Sequence, residues 1–337
     1  MIKRILGLLV ALALIYGAAW LGAAFWLRAR MDAFVADLTG RGYAVEHSAP
    51  LFVGFPAHIG LKLTSLSVTA PSAQGGWHWQ GAPVSVRLYP GAPTAPVIDL
   101  SGAQRITGFL SGPDEGWTLN VGHGLASLTF AQDRSLENIV LKLAGTTVTG
   151  AASPETFATI KDSALHLSLA SGHLTWWMEG VDLPEAIPAL SQTIRRVEIA
   201  VDFVDPLPVG PLRGALETWR DAGGAVEVRS FTLDWPPASA AGTATLALDP
   251  ALQPMGAATI KFQGFFDLVA ALQAKGYVHE REASMAKIVL GMLARPSAQG
   301  QPELSLPITV QDRKLSAGPV TLMEMPEVVW DRAAKVP

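Results

Sequence analysis

LFVGFPAHIGLKLTSLSVTAP, residues 51–71, carries its apolar side chains two residues apart. Ile59, Leu61 and Leu63 alternate with His58, Gly60, Lys62 and Thr64, the period of a strand with one buried face. The phase then slips by one, and Leu66 and Val68 continue the pattern. Such a slip sends side chains to the other face unless a bulge absorbs it, so the spacing predicts a bulge or bend near Thr64-Ser65. Gly54-Phe55-Pro56 turns the chain into this strand, where Pro56 cannot donate to a ladder.

The period persists outward. Trp77 and Trp79, then Val84, Val86 and Leu88, alternate with polar neighbours around the break at Gly81-Ala82-Pro83. Further strands are expected at 97–100, 106–110, 117–121, 125–130, 139–143, 165–169, 174–178 and 197–203. Turn signals at 111–116, Ala144-Gly145 and Ser171-Gly172 separate them, and Val121-Gly122-His123-Gly124 reads as another turn. Short strands with frequent turns argue for antiparallel meanders rather than βαβ units. Val197, Ile199, Val201 and Phe203 against Glu198, Ala200 and Asp202 mark a sheet with one apolar and one wet side.

Asp205-Pro206-Leu207-Pro208 closes that strand, and a helix with Leu212, Leu216 and Trp219 on one stripe follows, ended by Gly223-Gly224. The phase slips again near Ser230, within Val226, Val228, Phe231, Leu233 and Trp235. Segments 243–248 and 257–262 read as a hairpin across Asp249-Pro250. Phe265, Leu268, Val269 and Leu272 form one helical stripe, and Met285, Ile288, Val289 and Met292 another. Strands at 304–310 and 314–322 complete a mainly β fold: a large curved antiparallel sheet with a C-terminal helical pair packed on it. A first β region over 50–205 and a second over 206–337, with helices near 210–222, 265–275 and 279–294, are the expected divisions.

Residues 5–27, ILGLLVALALIYGAAWLGAAFWL, form 23 residues without a charge. As a helix they reach about 34 Å, enough to cross a hydrocarbon core of about 30 Å. A secretory signal peptide cleaved near Gly22-Ala23-Ala24 is the competing reading, but the run exceeds the about 7–15 residues of an h-region and continues into Phe25-Trp26, which favours a retained anchor. Trp20, Phe25, Trp26, Arg28 and Arg30 are the expected membrane-interface residues. Lys3 and Arg4 favour a cytoplasmic tail over residues 1–4, a single pass through the inner membrane and a periplasmic C-terminal domain. Met31, Phe34, Val35 and Leu38 then give residues 28–42 the stripe of a stalk helix.

Composition excludes several functions. Apolar residues make up 49% of the 337 and charged ones 16%, ample for a core. The net charge is -4, and the four bases of the first 31 residues leave 21 bases against 29 acids elsewhere. Without clustered cations to displace counterions, nucleic-acid binding is not expected. The absence of cysteine removes disulfides, thiolate metal sites and cysteine nucleophiles. The seven histidines include no HExxH, and His166 and His173, on successive strands, lack a third ligand. No GxSxG, Walker loop or GxGxxG is present, and Asp114-Glu115 sits in a Pro-Gly turn. Neither an enzyme, a metal nor a cofactor is expected. Of Trp176-Trp177, one member must leave the core face, because adjacent strand residues point oppositely.

Several stretches together carry a resemblance: the basic-flanked anchor and stalk, Gly54-Phe55-Pro56, Gly76-Trp77 before a strand, and Gly242-Thr243 through Leu246-Ala247-Leu248-Asp249 to Leu252-Gln253-Pro254-Met255-Gly256. Pro307-Ile308-Thr309-Val310-Gln311-Asp312, Leu315 and Gly318-Pro319-Val320 complete it. The chain resembles an alphaproteobacterial family of membrane-anchored proteins classed as a domain of unknown function, number 2125. More distantly its layout is similar to AsmA-type envelope proteins, which implies an apolar groove for phospholipid or a role in cell-envelope biogenesis. The expected function is binding of a lipid or other hydrophobic ligand, with Ile59, Leu61, Leu63, Val84, Val86, Ile199 and Val201 lining the groove. The alternative is a non-catalytic scaffold or assembly factor contacting envelope proteins. The two differ in whether the helices at 265–294 cover the apolar face.

Overall fold

The computed structural model describes residues 2–108, 116–133, 135–150, 155–185, 187, 189–205, 208, 210–297, 300–328 and 330. The Asp114-Glu115 pair and most of the 111–116 turn lie outside these residues.

Anchor and stalk form one helix, α1 (Ile2–Gly40). Tyr43 N–H bonds back to Leu38 O at 3.1 Å, and Gly42, at φ 89°, supplies the left-handed residue that ends it. The first part of the helix is exposed on all sides. From Trp20 onward one stripe turns inward: Trp20, Ala24 and Leu27 are buried, and Met31, Val35 and Leu38 are half-buried. Phe34 stays exposed, so the docking stripe starts inside the apolar run rather than after it.

All described strands belong to one 20-stranded antiparallel sheet. Its beginning is four strands, each bent near the middle and therefore counted in halves. These are β1 (Ala44–His47) with β2 (Leu51–Val53), β3 (Ile59–Leu63) with β4 (Leu66–Thr69), β5 (His78–Ala82) with β6 (Val84–Tyr89), and β7 (Ala92–Asp99) with β8 (Gly102–Thr107). One set of halves pairs as β2, β3, β6, β7 and the other as β1, β4, β5, β8. Both sets meet β9 (Gly116–Phe130), β7 at 125–127 and β8 at 116–121. The predicted bend at Thr64-Ser65 is thus one point on a crease. There the Ser48 hydroxyl accepts both the Thr64 and Ser65 N–H groups, at 2.8 and 3.3 Å.

The crease continues past β9. Strands β10 (Leu136–Gly150), β11 (Thr156–Ser168), β12 (His173–Asp182) and β13 (Thr193–Val204) follow as a meander. Their pairing skips the line Gly122, Gly145, Lys161, Gly180, Arg195. Gly145 and Gly180 both sit at φ 60°, which glycine adopts without the penalty of a Cβ. Each skip re-phases its strand. The buried positions run Ala126, Gly124 and then Val121 in β9, and in β11 Ser163, half-buried Ile160 and then Ala158, so one face stays inward across the irregularity. Val121-Gly122-His123-Gly124 is therefore no turn but the middle of β9. The glycines serve a bend inside a strand, a use that sequence spacing does not distinguish from a reversal.

After β13 comes α2 (Leu212–Asp221), with Leu216 and Trp219 buried as its stripe predicts. The sheet runs on without a break, because β13 pairs with β14 (Ala225–Trp235). The phase slip near Ser230 is an irregularity in both ladders of β14. Strands β15 (Ala238–Leu248) and β16 (Pro254–Gln263) form the expected hairpin, and α3 (Phe265–Ala274) and α4 (Glu280–Leu293) follow. Short β17 (Arg295–Pro296), then β18 (Pro302–Gln311), β19 (Lys314–Ala317) and β20 (Val320–Glu324) finish the sheet. Gln74, in a 3-10 turn between β4 and β5, donates its amide to Gly210 O at 2.7 Å, next to α2. The sheet therefore curls back on itself between β5 and β13.

Candidate functional site

Opposed residues in an antiparallel ladder share a face, so the register traces side chains across the sheet. One file runs Phe52, Leu61, Val86, Ile98, Ala126, Leu141, Leu165, Trp176, Ile199, Phe231, Gly242, Ile260 and Leu306, each directly opposite the next. It contains no polar side chain from β2 to β18. Parallel to it runs Leu128, Ile139, Leu167, Leu174, Val201, Val228, Ala244, Ala258 and Ile308. The opposite face mixes polar and ionic side chains such as Lys142, Thr175, Glu198 and Thr232 with some apolar ones, among them Val140 and Trp177. Arg196 is hydrogen-bonded by Glu198, which with Glu179 raises its pKa, and its guanidinium lies 5.5 Å from the Trp177 ring. Trp176 and Trp177 thus face opposite sides, as alternation requires.

The seven expected groove residues divide by depth. Leu61, Leu63 and Val84 are core, at 1%, 4% and 2% exposure. Leu61 packs with Leu27 and Leu88, and Met31, Phe52 and Ile59 pack against that cluster, so α1 itself covers the first strands. Ile59, Val86 and Ile199 are half-buried and Val201 is buried. Ile199 and Val201 lie in adjacent files beside Trp176 and Phe231, both half-buried and neither among the groove residues expected from sequence. Their signal was the register, which no single strand discloses.

Helices cover little of this face. Beyond α1, which lies on β1 and β3, the main helix-to-sheet contacts are α3 on β15 and α4 on β18. Phe265 and Ala283 anchor that pair, buried to 3% and 0% exposure. The stripe Met285, Ile288, Val289 and Met292 is exposed instead of packed.

Of the expected membrane-interface residues, Phe25, Trp26, Arg28 and Arg30 are exposed, with Arg30 5.5 Å from the Trp26 ring. Trp20 is buried against the turn between β2 and β3. Its Nε1–H donates to His58 O at 2.8 Å, and its ring meets Phe55 edge-on at 5.5 Å. The Tyr16 hydroxyl donates to Pro56 O, and Phe25 meets Phe52 at 5.1 Å.

Two other places were candidates. A cleft of about 530 Å³ opens between the end of α1, the 3-10 turn and α2, lined by Leu38, Arg41, Tyr43, Gln74, Leu212 and Ala215 among others. On the wet face, His173 Nδ1 lies 2.6 Å from Asp202 Oδ1, and Arg229 binds the same carboxylate. The hydrogen bond with His173 and the Arg229 charge hold Asp202 below the usual carboxylate range. His166 lies opposite Thr175, and among the described residues no group of three metal-ligating side chains occurs.

Over residues 20–326 the chain matches the family described as "Uncharacterized protein conserved in bacteria (DUF2125)". No curated protein and no solved structure matches it. The match opens at Trp20, the first α1 residue buried against the sheet.

Proposed function

The chain belongs to the DUF2125 family, and from that premise we propose that it is a membrane-anchored β protein holding a lipid or other hydrophobic ligand along its apolar face. The observation that carries the reading is the unbroken apolar file from Phe52 to Leu306, most of whose members are only partly buried. A one-sided sheet without a function there gains by covering that face, since each square ångström of apolar surface removed from water contributes about 25 cal/mol. Here the ligand takes that place. α1 is long and apolar enough to cross a membrane, and the file begins where α1 meets the sheet, which suits a ligand taken from the bilayer. Lys3 and Arg4 on the short flank support a cytoplasmic N-terminus and a domain in the periplasm of the inner membrane, within cell-envelope biogenesis or lipid transfer.

The test is extraction of lipid from the full chain purified in mild detergent. Wild type should retain lipid through a wash that strips Ile199→Asp with Phe231→Asp, while Thr232→Asp on the wet face behaves as wild type. Equal lipid in all three overturns the reading. A second reading, a non-catalytic scaffold for envelope proteins, is favoured by the exposed α4 stripe and by Val320, Leu322 and Met323, all more than half exposed on edge strand β20. Cross-linking from Ile288 in cells to a protein, with no lipid retained, selects it.

A further inference from the structure

The contacts of α1 with the sheet start too early for the domain to sit above the membrane. An apolar span needs about 20 residues to cross a hydrocarbon core of about 30 Å. Counted from Ile5, the first residue after Lys3 and Arg4, that span ends near residue 24. Tyr16 and Trp20 fall about 8 and 4 residues inside it, or about 12 and 6 Å at the helical rise. Both are bonded to the turn Gly54–His58.

We propose that this turn and the adjoining end of β6 are embedded in the leaflet of the anchor's own bilayer, so that the apolar face begins within the lipid. The inference rests on the anchor reading of α1. Its occupant is that leaflet because the helix holds the turn at a depth its own length defines.

Several of the turn's polar groups are satisfied within the protein. Backbone polar groups within hydrocarbon must be satisfied by the protein. Gly54 O accepts the His58 N–H at 2.9 Å, Pro56 O accepts the Tyr16 hydroxyl, and His58 O accepts the Trp20 indole. Pro56 has no N–H to satisfy. The side chains left outward are apolar or aromatic: Phe55 at 59% exposure, Phe25 at 59%, Trp26 at 51% and Tyr89 at 43%. Charge begins above them, with Arg28 on the helix and the Arg87–Asp99 pair at the level of Gly60. Helix and sheet thus build one aromatic belt together, where an isolated anchor would build it alone.

Because the chain has no cysteine, a single introduced one takes a fluorophore uniquely. The label is placed on Phe55→Cys, Tyr89→Cys, Leu12→Cys or Thr232→Cys in the full chain, reconstituted in vesicles. Leu12 marks the span and exposed Thr232 marks water. Quenching by lipids brominated in the upper acyl chain should be severalfold stronger at 55 and 89 than at 232, with weak quenching by aqueous iodide. Strong iodide quenching at 55 and 89, with Leu12 quenched only by lipid, overturns the embedded turn and leaves the anchor intact. Iodide quenching at Leu12 removes the anchor reading itself.

Discussion

The indole Nε1–H of Trp20 lies 2.8 Å from the carbonyl oxygen of His58, tying a residue of the apolar run to the turn that opens β3. Removing the donor leaves a part-buried carbonyl without its partner, a loss of about 1–3 kcal/mol. Trp20→Phe keeps the ring against Phe55 and loses only the bond. The expected outcome is earlier protease cleavage between α1 and the sheet in detergent, with the strands' own circular-dichroism signal unchanged. Unaltered cleavage shows the bond to be dispensable.

Leu61 and Ile288 test where the core lies. Leu61, at 1% exposure, packs under Leu27 of α1. Leu61→Ala should cost about 2–5 kcal/mol, the range for a large-to-small change at a buried site. Ile288, at 63% exposure on α4, should tolerate Ile288→Glu within about 0.5 kcal/mol. Thermal unfolding of both variants in one detergent reads the difference, and a comparable loss at Ile288 means that α4 packs its stripe.

Gly145 and Gly180 carry the crease. An L side chain at φ 60° costs about 1–2 kcal/mol. Gly145→Ala, with only Gly122 Cα at 4.0 Å from the new Cβ, should show that cost alone. Gly180→Ala should lose more, because its Cβ would stand 2.9 Å from Lys161 Cβ. Chemical denaturation of the pair ranks them, and equal losses rule out the steric share.

The crease also marks how far the sequence can be read. At Thr64-Ser65 the slip from Leu63 to Leu66 is visible because apolar residues flank it on both sides. At Gly122–Gly124 the same event is masked, since glycines signal a reversal as readily as a bend. Helices α1, α2 and the pair α3 and α4, and the hairpin of β15 and β16, were legible because each rests on local periodicity, whereas the turn expected at Ala144-Gly145 lies inside β10 and β9 was expected as two strands. Among the expected groove residues, Ile199 and Val201 hold half-covered and covered places in the apolar files. Leu61, by contrast, lies under α1. Which residues share a file depends on register, and which face a helix covers depends on tertiary contact, so neither has a local signature.

Asp99 sits at the crease between β7 and β8. Partial burial works to raise its pKa, but the Ser101 hydroxyl and N–H and the Arg87 guanidinium outweigh that and hold it below the ordinary carboxylate value. A group depressed in the folded state contributes stability above its unfolded pKa, about 3.9 for Asp, and loses it as pH falls through the folded value. Wild type should therefore lose stability below about pH 4 more steeply than Asp99→Asn, and the two unfolding curves should converge in acid. Parallel curves across that window rule out a contribution from the Asp99 carboxylate.

Thr146 offers the opposite kind of test. Its hydroxyl is buried at 2% exposure, opposite Val121 and Ile160, and has no hydrogen-bond partner among the described residues. A buried hydroxyl without a partner costs about 1–3 kcal/mol relative to its hydrated state. Thr146→Val keeps the branched shape suited to the strand and removes the polar atom. The variant should be as stable as wild type or more so, by up to about 2 kcal/mol. A loss of more than about 1 kcal/mol instead assigns the hydroxyl a bonded partner on the inward face, and a matching fall in retained lipid identifies that partner as the ligand's polar group.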